Sequence, residues 1–383
     1  MSRHPHRAGA ILAAATLSLS LCLPALAGRI AGNIEVEIIA VNTPDGTGSV
    51  LPYSVSNDGR LVALRADFGS LGSLYPGYWT SETGVQPLDA GDLANVAGAT
   101  VSADGSTIVG TINRSGGARA FRWQGPGTFQ TFDPPAGVGL STADAVTADG
   151  SRFAGSAVFE TGFEGYLSSP DGKFMSLGPS RVGGMSADAS MVAGSEFLPE
   201  GSRAWYWTPE EGRRIIPNLG TSANASVTGV SADGSTIFGR WDMLPSRGNE
   251  PEKSGFAWSP GSGVRNLSNF DSSPFRPSLV ASNADGSVIV GMAWDGGFGG
   301  SAVWLEGSSV PLNGVEYIES LGYHFPDGMV AIRISDISDD GLTFVGSGVY
   351  EGENIGWIAR VPSPAGSCVL LFGLVALRRR RMR

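Results

Sequence analysis

Apolar residues along this chain fall in short runs, alternating or continuous, cut at close intervals by Gly, Asp, Ser and Pro. Between residues 28 and 361 no segment sustains a helical period of useful length. Such patterning predicts short strands joined by tight turns. The runs repeat. The phrase Val101-Ser102-Ala103-Asp104-Gly105-Ser106-Thr107-Ile108-Val109-Gly110 has relatives centred on Asp58, Asp104, Asp149, Asp188, Asp233, Asp285 and Asp340, at spacings of 46, 45, 39, 45, 52 and 55 residues. Gly follows the Asp in every unit but one, where Ala189 stands instead. Four residues after the Asp the position is always apolar: Val62, Ile108, Phe153, Val192, Ile237, Ile289 and Phe344. Six after it comes Gly110, Gly155, Gly194, Gly239, Gly291 or Gly346, with Leu64 replacing Gly in the first unit.

The chemistry of this phrase is structural. Asp-Gly fits a hairpin loop in which a type I turn is followed by Gly in the left-handed conformation. The Asp carboxylate accepts neighbouring backbone N–H groups. A short buried strand follows, and its closing Gly allows backbones to approach closely. About 17–25 residues past each Asp lies an aromatic strand: Tyr78-Trp79, Phe121 with Trp123, Tyr166, Trp205 with Trp207, Phe256 with Trp258, Trp304, and Trp357. Next come a Gly-bearing turn and a strand ending in Leu88, Leu219 or Leu267.

Each unit therefore reads as four strands in about 45 residues, the signature of a propeller blade. The expected fold is all-β, a seven-bladed β-propeller spanning residues 28–361. The last unit reaches Val361 without its fourth strand, while Ile34–Ala40 stands spare before Asp58. Residues 33–41 are thus expected to complete the last blade and remove an open edge.

Composition sharpens this picture. With 383 residues and 42 % hydrophobic content the chain can bury a core, which excludes disorder. Charged residues make up only 16 %, and the 56 Gly disfavour coiled coils and helical bundles.

The two ends differ from the body. Residues 1–27 read as a signal peptide, with Arg3 and Arg7, an apolar run from Ala8 to Leu23, and a cleavage box with small residues at Ala25 and Ala27. At the other end, Val361-Pro362-Ser363-Pro364 precedes an apolar stretch from Ala365 to Leu377, then Arg378, Arg379, Arg380, Arg381, Met382 and Arg383. The apolar stretch is short for a bilayer span, but the basic cluster would stay cytoplasmic and favours a short transmembrane helix. Removing both ends takes away seven Arg and no Asp or Glu. It leaves 19 basic against 36 acidic residues, a net charge of −17, and removes both cysteines, Cys22 and Cys368. The body must hold together without disulfides. Its charge makes nucleic acid and anionic membrane surfaces poor partners.

The order of the C-terminal parts resembles the PEP-CTERM sorting signal of exported bacterial proteins, with Ser363 where Glu is usual. The resemblance covers residues 361–383 and implies export, transient membrane retention through residues 362–383, processing near Pro362 by an exosortase-like enzyme, and a place at the cell surface or in the extracellular matrix. Within the body, the repeated phrase, together with Ala120-Phe121-Arg122-Trp123 and Gly255-Phe256-Ala257-Trp258, resembles extracellular HAF-type repeats, although the His of those repeats is absent. That resemblance implies secretion and a β-rich repeat fold, with no established activity.

Candidate chemistry is sparse. His324 is the body's one histidine and sits in a loop-like stretch without a nucleophile elbow; zinc would need several His or Cys ligands. The run Asp336-Ile337-Ser338-Asp339-Asp340-Gly341 leaves calcium open, but lacks the alternating ligands of an EF-hand and reads better as turn-forming Asp. Catalytic, cofactor and metal residues are accordingly set at none. A glycoside hydrolase or lyase would have to draw carboxylates from irregular loops: Asp242, Glu250 and Glu252; Glu316, Glu319 and Asp327; or Glu160, Glu164, Glu196 and Glu200. Trp241 and Trp294 could stack on sugars, though core packing is the better reading. The leading expectation is a non-catalytic cell-surface or matrix protein that binds exopolysaccharide or surface protein. A secreted carbohydrate-active enzyme is the alternative.

Overall fold

A computed structural model describes residues 34–360, apart from short segments at 44–45, 69–73, 90–95, 115, 138, 218, 220–223, 244–251, 272–274 and 296–297. The expected signal peptide (Ala25, Ala27) and the expected sorting segment (Val361 to Pro364, Arg378 to Arg381) lie outside the described residues. Among the described residues no helix is long and apolar enough to cross a membrane.

The fold is an all-β propeller. Each Asp hairpin joins the first two strands of a four-stranded antiparallel ladder. In unit 1 these strands are Val50–Val55, Val62–Ala66, Tyr75–Thr80 and Gly84–Pro87. Where seven equal blades were expected, five ladders stand as separate four-stranded sheets: those of units 1, 2, 3, 6 and 7. Units 4 and 5 are merged into one eight-stranded sheet. The merger rests on one parallel pair, Ser202 with Asn224, where the third strand of unit 4 meets the first of unit 5.

The last sheet is completed by the N-terminus, over a narrower segment than residues 33–41. Glu37–Ile39 pairs antiparallel with Gly356–Ile358. Ile34–Glu35 instead runs parallel to Tyr323–His324, and Val41–Thr43 folds back on Gly46–Gly48. Ile39 is fully buried in a cluster with Val50, Trp79, Val345 and Ile358, which joins the first and last units.

A short helix, Gly314–Ser320, corrects the expectation of none. Asn313 caps it by accepting the N–H groups of Val315 and Glu316, and Ile318 buries its apolar side.

The hairpins follow the expected chemistry. The residue after each Asp is left-handed in all seven units, with φ between 59° at Ala189 and 73° at Gly234. In unit 2 the Ser102 hydroxyl donates to Asp104 (2.6 Å) and accepts from Thr107 N–H (3.0 Å), while the same carboxylate oxygen accepts from Ser106 N–H (2.9 Å). In unit 6 Asn283 takes the place of the hydroxyl residue and accepts from Val288 N–H. Asp149 is held at about 2 by the N–H of Ser151 and the hydroxyls of Thr147 and Ser151. Among the seven hairpins, Ala189 alone carries a side chain at this left-handed position. Ala189→Gly is therefore expected to raise stability by roughly 1 kcal/mol in denaturant unfolding.

The repeated Gly, six residues past the Asp, lies beneath a carbonyl of the neighbouring first strand. A Cβ there would sit 1.9 Å from Arg181 O at Gly194, 2.0 Å from Thr142 O at Gly155 and 1.8 Å from Arg333 O at Gly346. Across the next strand five of these glycines face a large ring, Phe121, Tyr166, Trp205, Phe256 or Trp357, and Gly291 faces Ala302. Unit 1 inverts the pair, because Leu64 faces Gly77. The exception in the repeat is thus a swap of large and small across one pair of strands, which conserves packed volume.

Candidate functional site: the central channel and its two mouths

First strands of all seven units surround a central cavity of about 230 Å³. Its lining is mostly small, apolar or hydroxyl-bearing: Val55, Val101, Ala145, Gly184, Val230 and Ser282 are typical.

At one mouth the Asp hairpins are tied to each other. The residue before the Asp, Ala in five units, carries or adjoins a hydrogen bond between neighbouring hairpins. The chain of bonds runs Asn57 N–H to Ala103 O, Asp104 N–H to Ala148 O, Ala148 N–H to Ala187 O, Ala187 N–H to Ala232 O, Asp233 N–H to Ala284 O, and Ala284 N–H to Asp339 O, at 2.7–3.0 Å. The remaining gap, between the last hairpin and the first, is bridged by side chain. Asp339 N–H donates to Asn57 Oδ1 (2.9 Å), and Asn57 Nδ2 donates to Asp339 Oδ2 (2.7 Å). The two units without Ala at this position are the two that meet at the seam. Small side chains elsewhere let the backbones come this close.

The acidic run 336–341 is divided among separate tasks. Asp340 accepts from Ser338 Oγ and Leu342 N–H within its own turn. Asp339 closes the seam. Asp336 Oδ2 accepts from Val55 N–H (2.9 Å), across the same seam. Among the described residues no group of three His, Cys, Asp or Glu is placed to hold a metal.

Three aspartates line the cavity, Asp144, Asp336 and Asp339, and the last is engaged with Asn57 at the seam. Burial pushes Asp336 up to about 6, against the pull of bonds from Val55 N–H, Ser54 and Ile337 N–H. Desolvation by the surrounding protein also raises Asp144 to about 6, although the residue is exposed; the Thr142 hydroxyl and Arg181 pull the other way. Sequence reasoning did not single out Asp144. Its signal was a charge at a first-strand position where the other units carry Tyr53, Ala99, Gly183, Thr228, Val280 and Ser335.

The sign of the pH effect follows directly. An Asp whose pKa is higher in the folded than in the unfolded chain binds its proton more tightly when folded. Its stabilising contribution is full below about 4 and is lost as the pH rises through 6. Asp336→Asn should therefore gain on the wild type by about 2–3 kcal/mol between pH 4 and pH 7.5, read as the difference between their unfolding curves. A difference independent of pH would refute the assignment.

The loop carboxylates considered for catalysis do not gather in the cavity. Asp242 is buried and held by Arg276 (2.7 and 2.5 Å) and Asn224. Glu164 is bonded by Thr161 and Ser176. Glu196 pairs with Arg203 and Arg213 (both 2.6 Å). Glu160, Glu200, Glu316, Glu319 and Asp327 are exposed, and Glu250 lies outside the described residues, as does the side chain of Glu252. His324 is exposed on its two-residue strand, and its carbonyl accepts from Val36 N–H. Trp241 is buried in the core. Trp294 lies tilted against Phe275, with ring centroids 4.6 Å apart, and donates to Arg276 O.

No known family and no curated protein matches the sequence. Solved structures do resemble the fold. Oligogalacturonate lyase from Vibrio parahaemolyticus shares 12 % identity at a TM-score of 0.55, over 86 % of this chain and 98 % of that one. An oligogalacturonate lyase in complex with manganese shares 13 % at 0.54, over 86 % and 97 %. TolB from Acinetobacter baumannii shares 11 % at 0.42 over 67 % of this chain, which spans 61 % of TolB's length. At these identities the likeness is one of architecture, a β-propeller.

Proposed function

We propose that this protein is an exported, non-catalytic β-propeller that binds polysaccharide or surface protein at the cell envelope or in the extracellular matrix. In this reading the merged sheet counts as two blades, so the ring has seven, and the segment 362–383 directs sorting through an exosortase-like enzyme. One observation carries the non-catalytic part: the acids buried in or beside the irregular loops, Asp242, Glu164 and Glu196, are each bonded to neighbouring side chains rather than paired across a pocket. A glycoside hydrolase needs two carboxyl groups about 5–10 Å apart and facing a substrate. The likeness in fold to oligogalacturonate lyases leaves a carbohydrate-active enzyme as the competing outcome. A glycan array run beside a hydrolysis and elimination screen on the purified chain separates the two. Binding without product supports the proposal, and turnover of any glycan overturns it.

A further inference from the structure

We infer that the mouth opposite the Asp hairpins binds an acidic oligosaccharide, an extended uronate-type chain whose carboxylates are held by Arg240, Arg333 and Arg65. The inference rests on the polysaccharide reading above and makes it specific. Every first strand starts at this mouth and ends at its Asp hairpin, so residues near the strand starts mark the opposite face. Arg240 pairs in register with Ser226, near the start of its unit, and Arg65 with Leu51. Arg333 is the fourth residue of the first strand Val330–Ile337.

Two clefts open there. One, of about 500 Å³, is lined by Phe197, Ser202, Asn224, Ser226, Arg240 and Arg276. The other, of about 450 Å³, is lined by residues that include Tyr53, Arg65, Ser278, Met292, Arg333 and Ser347. Ser278 is two residues from Arg276, so the clefts are neighbours on unit 6.

Of the acids near the first cleft, Asp242 and Glu196 are already paired, while Glu200, in the hairpin between Pro199 and Gly201, is exposed. Asp242 is filled by Arg276 and Asn224, and Glu196 by Arg203 and Arg213. Arg240 and Arg333 are exposed and, among the described residues, have no carboxylate partner. Arg65 lies over the Tyr53 ring at 5.7 Å and buries its Nε without an acceptor. In a chain of net charge −10, these three guanidinium groups stand at one mouth without an ion-pair partner among the described residues. Guanidinium favours planar, bidentate anions such as carboxylate, and a low-dielectric cleft strengthens that preference. Serine hydroxyls in both clefts and Phe197, which is 61 % exposed, suit a sugar ring. Two adjoining clefts suit a chain rather than a lone ion.

The test is calorimetric titration of the full-length chain with a hexameric oligouronate and with its carboxyl-reduced, neutral counterpart. The acidic form should bind at least about tenfold more tightly, and the gap should shrink at high salt. Arg240→Ala and Arg333→Ala should each weaken the acidic form about tenfold without moving the thermal midpoint, because both side chains are exposed. Equal binding of the two forms, or no effect of either substitution, would overturn the acidic site while leaving polysaccharide binding standing. Failure of both forms to bind would overturn both. An oligonucleotide that competes as well as the uronate would show that the mouth selects charge without recognising sugar, and would overturn the inference.

Discussion

Ile39→Asp should abolish cooperative folding or lower stability by about 4–5 kcal/mol. Ile39 is fully buried between the first and last units, against Val50, Val345 and Ile358, and its strand is the fourth of the last sheet. A carboxylate placed there has no partner and must either be desolvated or push the strand away. Either outcome opens the edge of Glu353–Arg360 and separates the first unit from the last. The ion pair of Glu37 with Arg360, at 3.4 Å and largely solvated, adds little to this strand. Thermal unfolding followed by tryptophan fluorescence reads the effect. A midpoint within a degree or two of wild type would show that the N-terminal strand is dispensable.

Gly346→Ala should cost at least about 3 kcal/mol. The added Cβ would meet Arg333 O at 1.8 Å and the Trp357 ring at 2.5 Å, so a first strand and a buried indole would both have to move. Gly98→Ala is the matched control. Nothing lies within 4 Å of a Cβ there, and the change should stay within roughly 0.5 kcal/mol. Equal effects at the two positions would mean that the repeated Gly reflects turn chemistry or chain flexibility rather than close approach of strands.

Much of this architecture was legible because the same physical problem is solved seven times. Asp in the turn, the left-handed residue after it, the buried strand and the Gly under a carbonyl recur at fixed offsets, and recurrence separates a structural role from chance. What recurrence could not convey lies at single sites. Leu64 looked like a lapse until the ladder placed Gly77 opposite it. The helix at Gly314–Ser320 occupies two turns within an excursion from the repeat, too short for periodicity to register, and its best sign was the cap at Asn313. The merging of units 4 and 5 depends on one residue pair, which no pattern encodes.

The candidate sites were less legible for the same reason. Asp144 and Asp336 reach the cavity as isolated departures from positions that are small, uncharged or hydroxyl-bearing elsewhere. Arg240, Arg333 and Arg65 come from three different units and adjoin only when the ring is formed. The acid-rich run at 336–341, read from sequence as turn-forming Asp, divides its bonds among three places, two of them across the seam.

Amide hydrogen exchange over Glu37–Ile39 in the full-length chain bears most directly on the closed ring. If the N-terminal strand belongs to the last sheet, its amides exchange as slowly as those of Thr343–Tyr350 and through the same global opening. Exchange of Glu37–Ile39 at the rate of a fraying terminus, with Thr343–Tyr350 still protected, would contradict it.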